Sequence, residues 1–282
     1  MAADQSSALI TGVSTGIGYG ALKELIKRGW FVFGTVRKPE DAEKLQAEFG
    51  SSFLPLIADV TNQEEINKSF KVVQEKLKGG GLSLLINNAG IAIAGALQHQ
   101  SMEDIEYQFE VNVFGLMRVT KTFLPLLGAD KSSNLRPGRI INISSVGGKV
   151  ASPFVGAYVG TKHAVEGISA SLRRELLMYG IDVIIVGPGV VKTPIWDKGV
   201  AAQEVEQNDY ERPLKRFAKV ALKSTKNGLD IEYVGRKLAD IAGAKQPKTR
   251  YALVPQHFSN WTIPRLLSDR MLDKAWKKIL GV

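Results

Sequence analysis

Short apolar runs, each followed by a longer stretch of helical periodicity, constrain the first two hundred residues more than any other feature of the sequence. Residues 8–11, 31–36, 53–59, 82–87, 139–144 and 182–186 are apolar through most of their length, so they read as strands buried on both faces. Strands of that kind separated by helices build a mostly parallel sheet covered on both sides, the doubly wound α/β architecture. Ligands of such sheets bind beyond the carboxyl ends of the strands, so chemistry-bearing residues belong immediately after each apolar run. The alternation fades beyond about Lys192, which predicts a variable substrate lobe over residues 193–282 of a single domain spanning 1–282.

Several classes of function drop out. The chain has no cysteine, and His99, His163 and His257 lie far apart in sequence, so neither a disulfide framework nor a metal site is expected. No stretch is long and apolar enough to suggest a transmembrane helix, and residues 1–7 run into the first strand without a signal region, which predicts a cytoplasmic protein. The net charge of +9 is concentrated, since residues 211–282 hold 16 basic and 6 acidic side chains, a local surplus of +10. Those cations fall on helix-like stretches and form no nucleic-acid reader motif, so nucleic acid is not an expected partner.

The loop after the first strand contains Gly12, Ser14, Thr15, Gly16, Ile17 and Gly18 and opens a helix. Its glycines let the backbone turn sharply and approach a pyrophosphate, while the helix N-terminus offers free N–H groups and a positive dipole end. The same residues match the G-x-S-x-G elbow that would present Ser14 as a hydrolase nucleophile, but that elbow normally follows several strands, and here one strand precedes it. A second pattern joins Tyr158 and Lys162, four residues apart and therefore on one helix face. The spacing recurs at Tyr19 and Lys23 and at Tyr233 and Lys237, so context decides. Only Tyr158 follows a strand exit rich in serine, Ser144 and Ser145, at the ligand edge of the predicted sheet. A free tyrosine with a pKa of about 10 is a poor base at neutral pH, and the charge of Lys162 is expected to stabilise its phenolate.

In their order and spacing these motifs resemble the short-chain dehydrogenase/reductase family over residues 8 to about 195, in its compact single-domain branch with a Rossmann fold. The likeness runs through the loop at 11–18, Asp59 with Val60, Asn88-Ala89-Gly90, Asn112, Ser145, Tyr158 with Lys162, and Pro188-Gly189 followed by Val191 and Thr193. The resemblance implies a hydride transfer between NAD(P) and a carbonyl or alcohol, with Asn112, Ser145, Tyr158 and Lys162 as the catalytic tetrad. It selects Ser145, thirteen positions before the tyrosine, over Ser144. It also implies that Asn112 holds a water beside Lys162, that Asp59 meets the adenine amine, and that Asn88, Ala89 and Gly90 form a floor under the ribose. Val191 and Thr193 then meet the nicotinamide carboxamide and the phosphates. A homodimer or homotetramer is implied as well.

Cofactor choice is read at the end of the second strand, where Val36 stands in place of the carboxylate that an NAD site uses for the ribose 2′-hydroxyl. Arg37 and Lys38 follow, so NADP is expected over NAD, which stays possible. Residues 91–97, Phe154, Val155 and residues 190–196 supply an apolar surround, and residues 139–148 and 162–167 resemble the hydroxysteroid and retinol dehydrogenase branch. A hydrophobic ketone or secondary alcohol is the expected substrate, against a broad-range reductase of small carbonyls or a cofactor sensor without turnover. In the basic last quarter, Leu214, Phe217, Ala221 and Leu222, and later Met271, Leu272, Trp276 and Ile279, recur at helical spacing. Those two segments are expected to be a substrate lid or subunit contact in preference to a peripheral membrane contact.

Overall fold

In the computed structural model, which describes residues 5–193 and 209–282, seven strands form one sheet in which every pairing is parallel. The strands are β1 (Ser7–Ile10), β2 (Phe31–Val36), β3 (Phe53–Ile57), β4 (Leu84–Asn87), β5 (Arg139–Ile143), β6 (Asp182–Pro188) and β7 (Arg250–Leu253), in the spatial order β3-β2-β1-β4-β5-β6-β7. The central strands are buried almost throughout, which is why they read as unbroken apolar runs. Alternate side chains go to opposite faces: Ala8, Ile10, Leu84 and Ile86 join one core cluster, and Leu9 and Leu85 join the other.

The first cluster is closed by α1 (Gly16–Lys27), α2 (Pro39–Phe49) and, from far along the chain, α8 (Ile231–Gly243). The second is closed by α3 (Gln63–Leu77), α5 (Leu116–Phe123) and α6 (Gly156–Glu175). Between α4 (Met102–Phe109) and α5 the helix widens into a π turn, Glu110–Gly115. The last quarter adds α7 (Glu211–Lys226), the short α9 (Ile263–Leu266) and α10 (Asp269–Leu280). Among the described residues no helix is long and apolar enough to cross a membrane.

Two expectations need correcting. The regular alternation does not end near Lys192, because α8 packs on α1 and β7 extends the sheet beside β6. β7 escaped notice because it is a short edge strand, half-exposed and opened by a charged residue, so it carries no apolar run. The third predicted strand also stops two residues early, at Ile57, leaving Asp59 in the loop beyond.

Candidate active site

β1 lies between β2 and β4, so the connection that returns from β3 to β4 opens a crevice at the carboxyl ends of β1 and β4. Polar side chains fix that crevice. Thr11 Oγ1 accepts the N–H groups of Asn88 and Ala89, each at 2.9 Å, and Asn88 Nδ2 donates to the carbonyls of Thr11 and Gly12, also at 2.9 Å. On the other side the Gly12 N–H donates to Thr35 Oγ1 at 3.0 Å. Asn88 is thus a strut under the glycine-rich loop.

The loop is built for close approach. Gly12 and Gly16 have φ of +70° and +63°, where side chains are strained, and a Cβ on Gly18 would stand 2.2 Å from the Gly12 carbonyl oxygen. α1 then begins with no side-chain cap at Thr15 and no acid in its first turn, so its leading N–H groups point outward uncapped. This cradle fits a dinucleotide pyrophosphate. Thr193 comes down on it from the exit of β6, its Cγ2 3.2 Å from where a Gly16 Cβ would be. Val191 is pinned nearby by a bridge to Leu229, and Gly189 by donation of its N–H to the Leu253 carbonyl at 2.8 Å. Pro194 to Trp196, expected to line the apolar surround, lie outside the described residues.

At the exits of β2 and β3, the Arg37 guanidinium is 3.8 Å from the Asp59 carboxylate. Asp59 also accepts from the Thr61 hydroxyl at 2.7 Å and the Thr61 N–H at 2.9 Å. Val60 is buried beneath the π turn, tight against Gly115.

Tyr158 and Lys162 are both buried on α6. The Lys162 ammonium donates to the Ile143 carbonyl at 2.9 Å and lies 5.7 Å from the Tyr158 ring centroid. Burial lowers the Lys162 pKa to about 8. Burial also pushes the Tyr158 phenol up, and a hydrogen bond with the Ser145 hydroxyl pulls in the other direction. Desolvation outweighs the Ser145 hydrogen bond, so the phenol is in its protonated form at neutral pH.

Ser145 follows β5 in an extended conformation, and its Oγ accepts the Gly147 N–H at 3.0 Å. Asn112 sits on the π turn. Its Oδ1 accepts the Ile91 N–H at 2.8 Å, and its Nδ2 donates to the Ile91 carbonyl at 2.9 Å and to Thr161 Oγ1 at 3.0 Å. That side chain ties the wall after β4 to the turn of α6 that carries Lys162. Gly90 lies between them, since a Cβ there would stand 3.1 Å from Asn112 Oδ1 and 3.7 Å from Lys162 Nζ.

The two decoy pairs separate cleanly. Tyr19 donates to Glu48 at 2.6 Å, and that bond raises its phenol to about 12, while Tyr233 is partly exposed under Lys237 on α8.

Beside Tyr158 and Val159, the buried side chains of Ala92, Ala94, Ala96, Phe154 and Val155 meet Phe217 of α7 and Leu280 of α10. Phe154 has a φ of +61°, rare for a bulky side chain, and its carbonyl accepts the Gly95 N–H at 2.7 Å. Its ring lies 5.6 Å from that of Phe217, which lies 6.1 Å from Trp276. The amphipathic reading of the last quarter is right for Leu214, Phe217, Ala221 and Trp276, whereas Leu222, Met271 and Ile279 are exposed.

Residues 6–204 match the short chain dehydrogenase family. The chain is 38% identical over 274 residues to the NADPH-dependent 3-dehydrocapnine reductase of Ornithobacterium rhinotracheale, covering 97% of this chain and 96% of that protein. It is 34% identical to the 3-ketodihydrosphingosine reductase of Bacteroides thetaiotaomicron, over 88% of this chain and 87% of that one. Among solved structures, a short-chain dehydrogenase from Streptomyces avermitilis superposes with a TM-score of 0.78 at 26% identity, covering 98% and 97% of the two chains.

Proposed function

The chain belongs to the short-chain dehydrogenase/reductase family of NAD(P)-dependent oxidoreductases, and from that premise we propose that it uses NADPH to reduce a hydrophobic ketone to a secondary alcohol. One observation carries the reading: a buried, protonated phenol and a buried ammonium share a helix face beneath an aromatic lid. Both similar reductases are named for substrates with an oxidised carbon 3, one a 3-dehydro and the other a 3-keto compound, which supports a ketone as the group reduced.

The cradle at Gly12, Gly16 and Gly18 with the uncapped start of α1 would hold the pyrophosphate, and the reduced nicotinamide would supply the hydride when bound. The chain's own residues handle the rest. Ser145 donates a hydrogen bond to the carbonyl oxygen, and Tyr158, kept protonated by burial, delivers a proton to that oxygen. The phenolate that remains is stabilised by the Lys162 ammonium, which is charged at neutral pH even with its lowered pKa. Asn112, by its bonds to Ile91 and Thr161, keeps the wall and the helix in register.

Tyr158→Phe is expected to lose at least about 10²-fold in kcat while cofactor affinity changes little, measured by nicotinamide absorbance and titration calorimetry. Tyr19→Phe and Tyr233→Phe are controls of equal spacing. If Tyr158→Phe kept more than a tenth of the parent rate, the proton-donor role would be lost. The substrate class is decided by a panel of steroid, retinoid, 3-ketodihydrosphingosine and small carbonyl compounds. A preference for the small carbonyls would favour the broad-range reading.

Arg37 supports the choice of NADPH, because no carboxylate stands at Val36 to repel a 2′-phosphate. Asp59 competes for the same guanidinium, so the expected effect is modest. Arg37→Ala should weaken the NADPH preference in kcat/KM by about 1.5 kcal/mol, the lower end for a charged hydrogen bond given the exposure of Arg37. Val36→Asp should reverse the preference. An unchanged ratio in Arg37→Ala would mean that the phosphate is read elsewhere.

α7 and α10 are best explained as a lid, because their inner side chains close on the apolar cluster around Tyr158. The outer face of α7 groups Leu222 with Lys215, Lys219, Lys223 and Lys226, a composition that also suits anionic lipid. Sedimentation with anionic vesicles separates the two uses. Salt-sensitive pelleting abolished by Lys-to-Glu changes would establish lipid contact, and no pelleting at low salt would eliminate it.

A further inference from the structure

We propose that Glu166 is a positioning residue for the reaction: its buried carboxylate clamps the turn that carries Ser145 onto the helix that carries Tyr158 and Lys162. The inference rests on the reading of those three residues as the reacting group, and it concerns a side chain with no part in the chemistry described above.

Glu166 is 3% exposed on α6, one turn beyond Lys162. A carboxylate so buried is costly unless its charge is matched. Two cations match it. Arg250 at the start of β7 donates from Nε at 3.1 and 3.0 Å to the two carboxylate oxygens and from Nη2 at 2.9 Å. Lys149, four residues after Ser145, lies 3.4 Å away. The carboxylate thus joins three chain segments: the catalytic helix, the turn after β5 and the outermost strand of the sheet.

Ser145 is bracketed by this assembly. On one side a Cβ at Gly148 would stand 2.6 Å from Ser144 Oγ, and 2.9 Å from both Glu166 Cγ and the Lys162 carbonyl oxygen, so the turn is seated directly on the helix. On the other side a Cβ at Gly187 would stand 2.6 Å from Arg250 Nη2 and 3.1 Å from the Ser145 carbonyl oxygen. The Ser145 backbone is therefore confined between Glu166 and its partner Arg250. Arg250 is held in turn against Trp261, 4.2 Å from its ring centroid, with Arg265 4.6 Å from the same centroid. The hydroxyl of Ser145 must meet the same substrate oxygen as the phenol of Tyr158. The relative placement of turn and helix sets whether both can do so, and misplacement of about 1 Å can cost on the order of 100-fold in rate.

A double-mutant cycle on the full chain is the test. Glu166→Gln keeps the shape and one acceptor for Arg250 but removes the charge that holds Lys149. It is expected to lower kcat by about tenfold or more with NADPH affinity unchanged, because the cradle at Gly12 to Gly18 is not touched. In a Ser145→Ala background the same change should cost less than about twofold, since there is no hydroxyl left to misplace. Lys149→Met, which cuts the arm to the turn from an accessible position, should give a smaller loss with the same dependence on Ser145. It serves as the probe if Glu166→Gln fails to fold. Equal losses with and without the Ser145 hydroxyl, or a fall in melting temperature without a change in kcat, would reduce Glu166 to a structural ion pair and overturn the proposal. The underlying reading is checked separately by Ser145→Ala and Tyr158→Phe alone: if neither impairs turnover, that reading fails whatever Glu166 does.

Discussion

Lys162 shows what a buried ammonium costs the fold. Its ammonium is buried with a pKa lowered from 10.5 to about 8, so the folded state releases a proton that the unfolded state keeps between those values. Stability therefore rises with pH across that window, and below pH 8 the full penalty, about 3 kcal/mol, is present. Lys162→Met is accordingly expected to melt several degrees higher than the parent at pH 7 and to lose turnover. The gain should vanish above about pH 10.5, where neither state of the parent carries the charge. The Tyr158 phenol is raised by its own burial, which the substitution leaves in place. Differential scanning calorimetry from pH 6 to 11 checks this, and a variant less stable than the parent at pH 7 would show that the bond to the Ile143 carbonyl outweighs the desolvation. At this scale the sequence was readable where a residue has a chemically distinctive side chain. Tyr158, Lys162 and Ser145 stand out because a phenol, an ammonium and a hydroxyl follow strand exits. The struts were not readable, because Thr11 and Asn88 act on backbone carbonyls and N–H groups, which leave no pattern in the sequence.

Between elements, the crossing of α1 and α8 is the tightest contact behind the cofactor cradle. A Cβ on Gly235 would stand 2.3 Å from the Gly20 carbonyl oxygen, and one on Gly20 would stand 2.7 Å from the Ile231 carbonyl oxygen. Both clashes are with backbone, which cannot swing aside as a flexible side chain can. Gly235→Ala should therefore destabilise the protein by about 1–3 kcal/mol or more and weaken NADPH binding by shifting α1. Gly167→Ala, in the exposed middle of α6 with nothing within 4 Å, should instead stabilise by up to about 1 kcal/mol. Chemical denaturation of the two variants separates a packing requirement from a general dislike of alanine, and equal effects would remove the distinction. The six inner and early strands were legible because burial on both faces demands continuous apolar side chains. β7 and α8 were not recognised as parts of the sheet layers, because an edge strand with one neighbour needs no such run and Gly235 shows its purpose only once Gly20 is opposite.

For the molecule as a whole, that crossing joins the beginning of the chain to its last quarter. The helix proposed to cradle the pyrophosphate is backed by one made some two hundred residues later. A chain ended after Lys226 should therefore lack a cooperative melt and bind NADPH far more weakly than the full protein, measured by calorimetry. Binding of parental strength by that shortened chain would show that α1 is self-sufficient. During synthesis at about 5–20 residues per second, α1 leaves the ribosome roughly ten to forty seconds before α8 can reach it. For that interval α1 lacks the helix that packs behind it, although Thr11, Thr35 and Asn88 can already brace the glycine-rich loop. The helix that follows the glycine-rich loop is thus backed only after some two hundred further residues have been made.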